Sequence, residues 1–281
     1  MSEGSPRTWL ITGADKGLGF STAKAALERG DNVVVTVLAA DGTHTLSAAY
    51  PNRLRSYHLN ARDLDRIAPV IAQAEAAFGG IDILVNNAGY GLISVAEETT
   101  PQTYRPLFEV NFFGLVEMTH AVLPGMRKRK RGHVINLSSI AGFAAPAGFS
   151  FYSAAKFAVE GYSEALAKEV GPLGIRVTII EPGAFRSDFA GASLASVCSA
   201  IPDYETTAHM VAHYSTTRHG TQPNDPAKFG PALCAIVDQT DPPFRLPLGR
   251  DALAYIRAEI ATVSSELDRW EPLSLSTTFE V

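Results

Sequence analysis

Thr12-Gly13-Ala14-Asp15-Lys16-Gly17-Leu18-Gly19 follows the apolar run Trp9–Thr12 and leads directly into a helical pattern over Gly17–Arg29. Glycines at these three positions let the backbone turn sharply and approach an anion without Cβ clashes. A helix that opens there offers unpaired N–H groups and the positive end of its dipole. A glycine cluster by itself is compatible with an ordinary tight turn. Strand, glycine loop and helix in succession near the N-terminus instead predict a cradle for the pyrophosphate of a dinucleotide.

Outward from this loop, short β-branched runs alternate with longer helical patterns. That alternation predicts an α/β fold, a doubly wound parallel sheet of the Rossmann type, with about seven strands and helices on both faces. Apolar runs lie at Trp9–Thr12, Val33–Val37, Leu54–Leu59, Ile81–Val85, His133–Leu137 and Arg176–Ile180, with Phe244–Leu248 as a further candidate. Their near-continuous hydrophobicity fits strands covered on both faces. Helical patterns fall at Gly17–Arg29, Asp63–Phe78, Pro101–Arg127, Ser150–Val170, Pro226–Asp238 and Asp251–Leu267. Thr100 before Pro101 makes a good helix start, and Pro106, lacking a backbone donor, should kink the helix that follows. No repeat or linker divides the chain, so residues 1–281 read as one domain. Two stretches break the rhythm. Residues 184–221 read as a lid over the substrate, since open α/β sheets bind ligands beyond the carboxyl ends of their strands; a variable surface excursion is the alternative. Residues 270–281 read as a tail, with Leu273, Leu275, Phe279 and Val281 among polar residues.

Hydrophobic residues make up 46% of the 281 and charged residues 19%, enough apolar material for a covered sheet and no signature of disorder. A net charge of -5 excludes the strongly basic surface of a dedicated nucleic-acid binder. The polar N-terminus, Met1–Arg7, lacks the apolar core of a signal peptide, and no run of about 18 apolar residues follows. Cys198 and Cys234 have no partners at zinc spacing, and His209, His213 and His219 are spaced too irregularly to suggest a metal. The expectation is a reduced, cytoplasmic protein that engages neither nucleic acid nor membrane and holds no metal. The run Arg127-Lys128-Arg129-Lys130-Arg131 reads as a solvated helix end, where positive charge suits the negative pole of the dipole.

Tyr152-Ser153-Ala154-Ala155-Lys156 places a phenol and an ammonium at i and i+4 of a helix, on one face and about 6 Å apart at their Cβ atoms. A free phenol has a pKa near 10. A neighbouring ammonium and a cationic nicotinamide would both favour the phenolate, so the pKa of Tyr152 is expected to fall. No nucleophile–histidine–acid triad competes for the chemistry.

The spacing of the glycine loop resembles the Thr-Gly-x-x-x-Gly-x-Gly pattern of the short-chain dehydrogenase/reductase family. Asn86-Asn87-Ala88-Gly89 resembles the family's second signature, and Pro182-Gly183 the element that lies over the nicotinamide. The matches run in order from Thr12 to about Ser187. The resemblance implies a nicotinamide-dependent oxidoreductase that interconverts an alcohol and a carbonyl by hydride transfer. It carries catalysis onto Ser139, at the end of the strand in Asn136-Leu137-Ser138-Ser139 and thirteen residues before Tyr152, onto Tyr152 and Lys156 themselves, and onto Asn111. Tyr152 would move the oxygen-bound proton and Ser139 would orient that oxygen. Lys156 would tune Tyr152 and hold the nicotinamide ribose, with Asn111 completing a water relay. The cofactor surface implied comprises Gly13, Asp15, Lys16, Gly17, Leu18, Gly19, Leu38, Asn60, Ala61, Asn87, Ala88, Gly89, Tyr152, Lys156, Pro182, Gly183, Phe185 and Ser187. A rival reading, a cofactor-binding scaffold or redox sensor without turnover, has no need of all four catalytic residues.

Departures from the family pattern bear on the cofactor. Asn60 stands where the family usually has an Asp that accepts the adenine amino group, and its carbonyl can still accept. Ser187 replaces a Thr and keeps the hydroxyl. Strand two ends in Val37-Leu38-Ala39-Ala40, without the acid that selects NAD or the Arg of many NADP enzymes. Lys16 resembles the basic residue that holds a 2′-phosphate, while Asp15 and Asp41 pull the other way; the balance favours NADP over NAD. Candidate substrate residues are Phe143, Phe149, Phe185 and Phe189, with Leu92 and Tyr204 nearby. They suit a bulky hydrophobic ketone or alcohol, and the motifs look most like the hydroxysteroid and retinol dehydrogenase-like branch. Family members commonly pair the helix Ser150–Val170 and the long helix before it across a two-fold axis, which implies a homodimer or homotetramer.

Overall fold

The computed structural model describes residues 6–42, 44–197 and 199–279; Met1–Ser5, Thr43, Cys198, Glu280 and Val281 fall outside it. In chain order its elements are β1 (Thr8–Ile11), α1 (Gly17–Glu28), β2 (Asn32–Val37), β3 (Leu54–His58), α2 (Leu64–Phe78), β4 (Ile83–Asn86) and β5 (Gly91–Ile93). Then follow α3 (Pro101–Phe108), α4 (Gly114–Arg129), β6 (Gly132–Leu137), α5 (Ser150–Val170), β7 (Ile175–Pro182) and β8 (Leu194–Ser196). The chain closes with α6 (Glu205–Arg218), α7 (Phe229–Val237), β9 (Arg245–Leu248) and α8 (Arg250–Leu275).

Strand pleating explains the layers. Trp9, Ile11, Val33 and Val35 point to one face and pack with Ala23, Leu27, Phe229 and Leu233 of α1 and α7. Leu10, Val34, Leu84 and Val134 point to the other and meet Ile67, Val70, Met118, Val122 and Leu166 of α2, α4 and α5. Neighbouring residues of one strand thus serve opposite cores, and the interior strands read as unbroken hydrophobic runs. The seven-stranded sheet is parallel throughout, in the order β3-β2-β1-β4-β6-β7-β9. The order reverses between β1 and β4, which opens a crevice at their carboxyl ends.

Three regions depart from the expectation. Pro101–Arg127 is not one kinked helix: α3 and α4 are joined by a π-helical turn, Glu109–Phe113. Pro106 removes one rung of the ladder, and the wider turn follows within three residues. Within 184–221, β8 pairs with β5 in a separate two-stranded sheet, and α6 forms on a short stripe of Met210, Val211 and Tyr214. Residues 270–275, within the stretch read as a tail, continue α8 as helix. Among the described residues, no helix is long and apolar enough to cross a membrane.

Candidate functional site

The crevice is stapled by its own two signature loops. Thr12, just past β1, accepts hydrogen bonds at Oγ1 from the amides of Asn87 (3.0 Å) and Ala88 (2.9 Å). In return Asn87 Nδ2 donates to the carbonyls of Thr12 and Gly13, each at 2.8 Å. Gly13 and Gly17 adopt φ of 61° and 59°, the left-handed region that glycine enters without penalty. A Cβ at Gly19 would lie 2.5 Å from Asn87 Nδ2 and 2.6 Å from Gly13 O. Gly19 therefore sits beneath the loop and lets it close; it does not line the cavity.

Above these loops lies a cavity of about 720 Å³. Its walls include Gly13, Asp15, Lys16, Gly17, Leu18, Leu38, Asn60, Ala61, Asn87, Ala88, Gly89, Pro182, Gly183, Phe185 and Ser187. A loop in which Gly13 and Gly17 carry no Cβ, opening into the N-terminus of α1, suits a pyrophosphate. Asn60 Oδ1 already accepts from the amide of Arg62 at 3.1 Å, so part of its acceptor capacity is spent locally. Leu38 stands 62% exposed just past β2, and Lys16 Nζ lies 3.9 Å from the Asp188 carboxylate. Arg62, Thr36, Asp188 and Gln222 also line the cavity, and no motif in the sequence marked them. His44 was equally silent: its Nε2 lies 2.9 Å from Ala14 O while Nδ1 accepts from the Leu46 amide, which braces the glycine loop from behind.

Ser139 at the end of β6 and Tyr152 and Lys156 on α5 share one wall of the same cavity. Phe149, Ser150 and Phe151 start α5 so that Tyr152 and Lys156, one turn apart, are both buried. Lys156 Nζ donates to the Leu137 carbonyl at 2.8 Å and lies 5.8 Å from the centre of the Tyr152 ring. Ser139 Oγ accepts from the Ala141 amide at 3.1 Å, and its hydroxyl lies close enough to the Tyr152 phenol to favour the phenolate. Burial pushes the Tyr152 phenol up, the Ser139 hydrogen bond opposing. In the protein alone, desolvation of a phenolate outweighs what the side chains supply to stabilise it, whereas the expected fall counts on the charge of a bound nicotinamide as well. Burial also brings Lys156 down to about 8, with Glu160 opposing. One turn on, burial raises Glu160, while Ser138, Arg245 and Lys156 restrain it. Glu181, at the end of β7, is pushed up to about 7 by burial and by Glu160.

Asn111 lies in the π turn and does not reach the cavity. It is buried, accepts from the Tyr90 amide at 3.0 Å and donates to the Tyr90 carbonyl at 2.8 Å. Its amide thus pins the chain just beyond Gly89.

Aromatic rings form the remaining wall. Phe149 and Phe189 pack on Tyr152 at 6.1 and 5.5 Å between ring centres, and Tyr214 of α6 packs on Phe149 at 5.2 Å. Phe185 lines the cavity from an anchor on Phe229. Phe143 is half-buried outside the cavity, because the single turn Ile140–Gly142 carries it past the opening. Leu92 is core, and Tyr204 is spent on Glu97 at 2.8 Å. Tyr214 was missed, since little in 184–221 announces a helix.

The arrangement can hold an extended dinucleotide along the loops and present a proton donor, a polarising hydroxyl and an ammonium to a ligand among the rings. A model of the short chain dehydrogenase family matches residues 7–196. A solved short-chain dehydrogenase from Streptomyces avermitilis is 40% identical with a TM-score of 0.91, over 99% of this chain and 100% of its own. Human retinol dehydrogenase 8 is 32% identical over 86% of this chain and 81% of its own length. A serine dehydrogenase solved with NADP+ is 28% identical with a TM-score of 0.74, over 86% and 94%. Sequence and overall fold agree with these relatives along most of the chain: it belongs to the short-chain dehydrogenase/reductase family of NAD(P)-dependent oxidoreductases.

Proposed function

We propose that the protein interconverts a secondary alcohol and a ketone on a bulky hydrophobic molecule, preferring NADP to NAD. The observation that carries this reading is that Ser139, Tyr152 and Lys156 face the same cavity as Phe149, Phe189 and Tyr214. Bound nicotinamide supplies or takes the hydride at the substrate carbon. In reduction, Tyr152 donates its proton to the carbonyl oxygen, and the Ser139 hydroxyl polarises that oxygen. Lys156, held by the Leu137 carbonyl, keeps positive charge beside the phenol and reaches the ribose. Asn111 fixes the loop that carries Gly89 and Tyr90. Residues 184–221 act as the lid, with Phe189 and Tyr214 as its substrate-facing side chains. Lys16 takes the 2′-phosphate. The name of the human relative, a retinol dehydrogenase, supports a hydrophobic substrate, and the NADP+ bound to the serine dehydrogenase supports the cofactor.

The test is a carbonyl panel read by loss of NADPH absorbance. Alicyclic and aromatic ketones are expected to exceed short hydrophilic ketones in kcat/KM by at least about tenfold. A preference for small polar ketones would refute the substrate class. NADPH binding without turnover of any carbonyl would favour the sensor reading instead.

A further inference from the structure

α8 leaves the body of the protein. Only Ala252 and Ile256 of its residues are buried, and from Ile260 to Leu275 each residue is exposed. At a rise of about 1.5 Å per residue, that free length reaches roughly 24 Å. A lone helix in water is marginal, and most helical stability comes from covering an apolar face. Such a face is present. Leu253, Ile256, Ile260, Val263, Leu267 and Trp270 recur at alternating intervals of three and four, the heptad seam of a coiled coil. Beyond the body, Ile260 is 53% exposed, Val263 45%, Leu267 67% and Trp270 52%.

We propose that this arm pairs with the same arm of a second copy of the chain, antiparallel about a two-fold axis. Charge selects the occupant and the direction. Arg257 and Glu271 flank the seam on one side, Glu259 and Glu266 on the other. In the antiparallel pair Ile260 of each copy faces Trp270 of the other, Val263 faces Leu267, and Arg257 meets Glu271 twice. A parallel pair would set Glu266 against Glu271 instead. The free arm, residues 257–275, carries two arginines against four carboxylates, a balance that does not suit an anionic lipid surface. The interface is isologous, one stripe meeting itself, and it is separate from the faces of α4 and α5. Glu266 meets its own copy at the axis, so Glu266→Gln is expected to tighten the pair.

Light scattering on the full chain at micromolar concentration tests this, with far-UV circular dichroism to verify folding. Leu267→Glu and Trp270→Glu are expected to halve the mass of the particle with the helical signal of the body retained. Arg257→Glu should weaken association about tenfold, and adding Glu271→Arg should restore it. Unchanged mass in both seam variants, or a monomeric wild type, overturns the proposal. Failure of the charge swap to restore association overturns the antiparallel register. Wild-type protein that floats with phosphatidylserine vesicles through Leu267, its mass unaffected by Leu267→Glu, overturns it in favour of a membrane.

Discussion

Burial keeps the Tyr152 phenol protonated well above neutral pH, which suits donation to a carbonyl and hinders abstraction from an alcohol. Ketone reduction should therefore run near its full rate at pH 7, while alcohol oxidation climbs with pH as the phenolate forms; rates in both directions from pH 6 to 10 check this. Glu181 offers a second pH test. Its carboxyl is raised to about 7, so the folded state binds the extra proton between the unfolded value near 4.5 and that point. The contribution is fully present below the unfolded value and is lost as pH rises through about 7. Thermal melts should lose stability over that window, by on the order of 3 kcal/mol, and Glu181→Gln should flatten the loss. Lys16 carries the cofactor choice. A charge-assisted contact to a 2′-phosphate is worth roughly 1.5–3 kcal/mol, so Lys16→Ala should weaken NADPH by about one to two decades and NADH far less. Asp188, 3.9 Å from that ammonium, competes for it, and Asp188→Asn should widen the preference. NADH bound more tightly than NADPH, with Lys16→Ala leaving the ratio unchanged, would reverse the assignment. The glycine loop and the Tyr152–Lys156 pair were legible because their chemistry is local. The fate of Tyr152's proton was not, since desolvation depends on what three separate elements bury.

At the scale of elements, the strands were legible because each alternates between two cores: Trp9 and Ile11 face α1, Leu10 faces α2 and α4. The π turn was not, because Pro106 announces a disturbance without saying where the ladder re-registers. Nor was α6, whose stripe is three residues long and whose Tyr214 reaches the cavity only through the fold. Two substitutions test how these elements build the site. Gly19→Ala places a methyl against Asn87 and the Gly13 carbonyl. Overpacking of this kind costs roughly 1–3 kcal/mol, so cofactor titration should show at least a tenfold loss (about 1.4 kcal/mol) with a lowered melting temperature. Tyr214→Ala removes an aromatic wall without touching the loops. It should cut kcat/KM for bulky ketones about tenfold and leave NADPH affinity as it was; equal activity would remove α6 from the substrate site.

For the whole molecule, the reversal of strand order between β1 and β4 brings together a glycine loop, the Asn86–Gly89 turn and the Ser139–Tyr152–Lys156 wall, drawn from distant parts of the chain. Their convergence on one cavity follows from topology, which is why the order of motifs along the sequence points to a single crevice. The reach of α8 was hidden, because past Ile260 its residues are exposed and contacts within the chain do not mark where it ends. The central claim is that Tyr152 moves the proton in a hydride transfer performed in this cleft. Steady-state reduction of the best ketone by NADPH, measured for wild type and Tyr152→Phe alongside NADPH titration, addresses it directly. The account predicts a loss of at least about 100-fold in kcat with NADPH affinity within about twofold of wild type. A Phe variant that turns over as fast as wild type would contradict it.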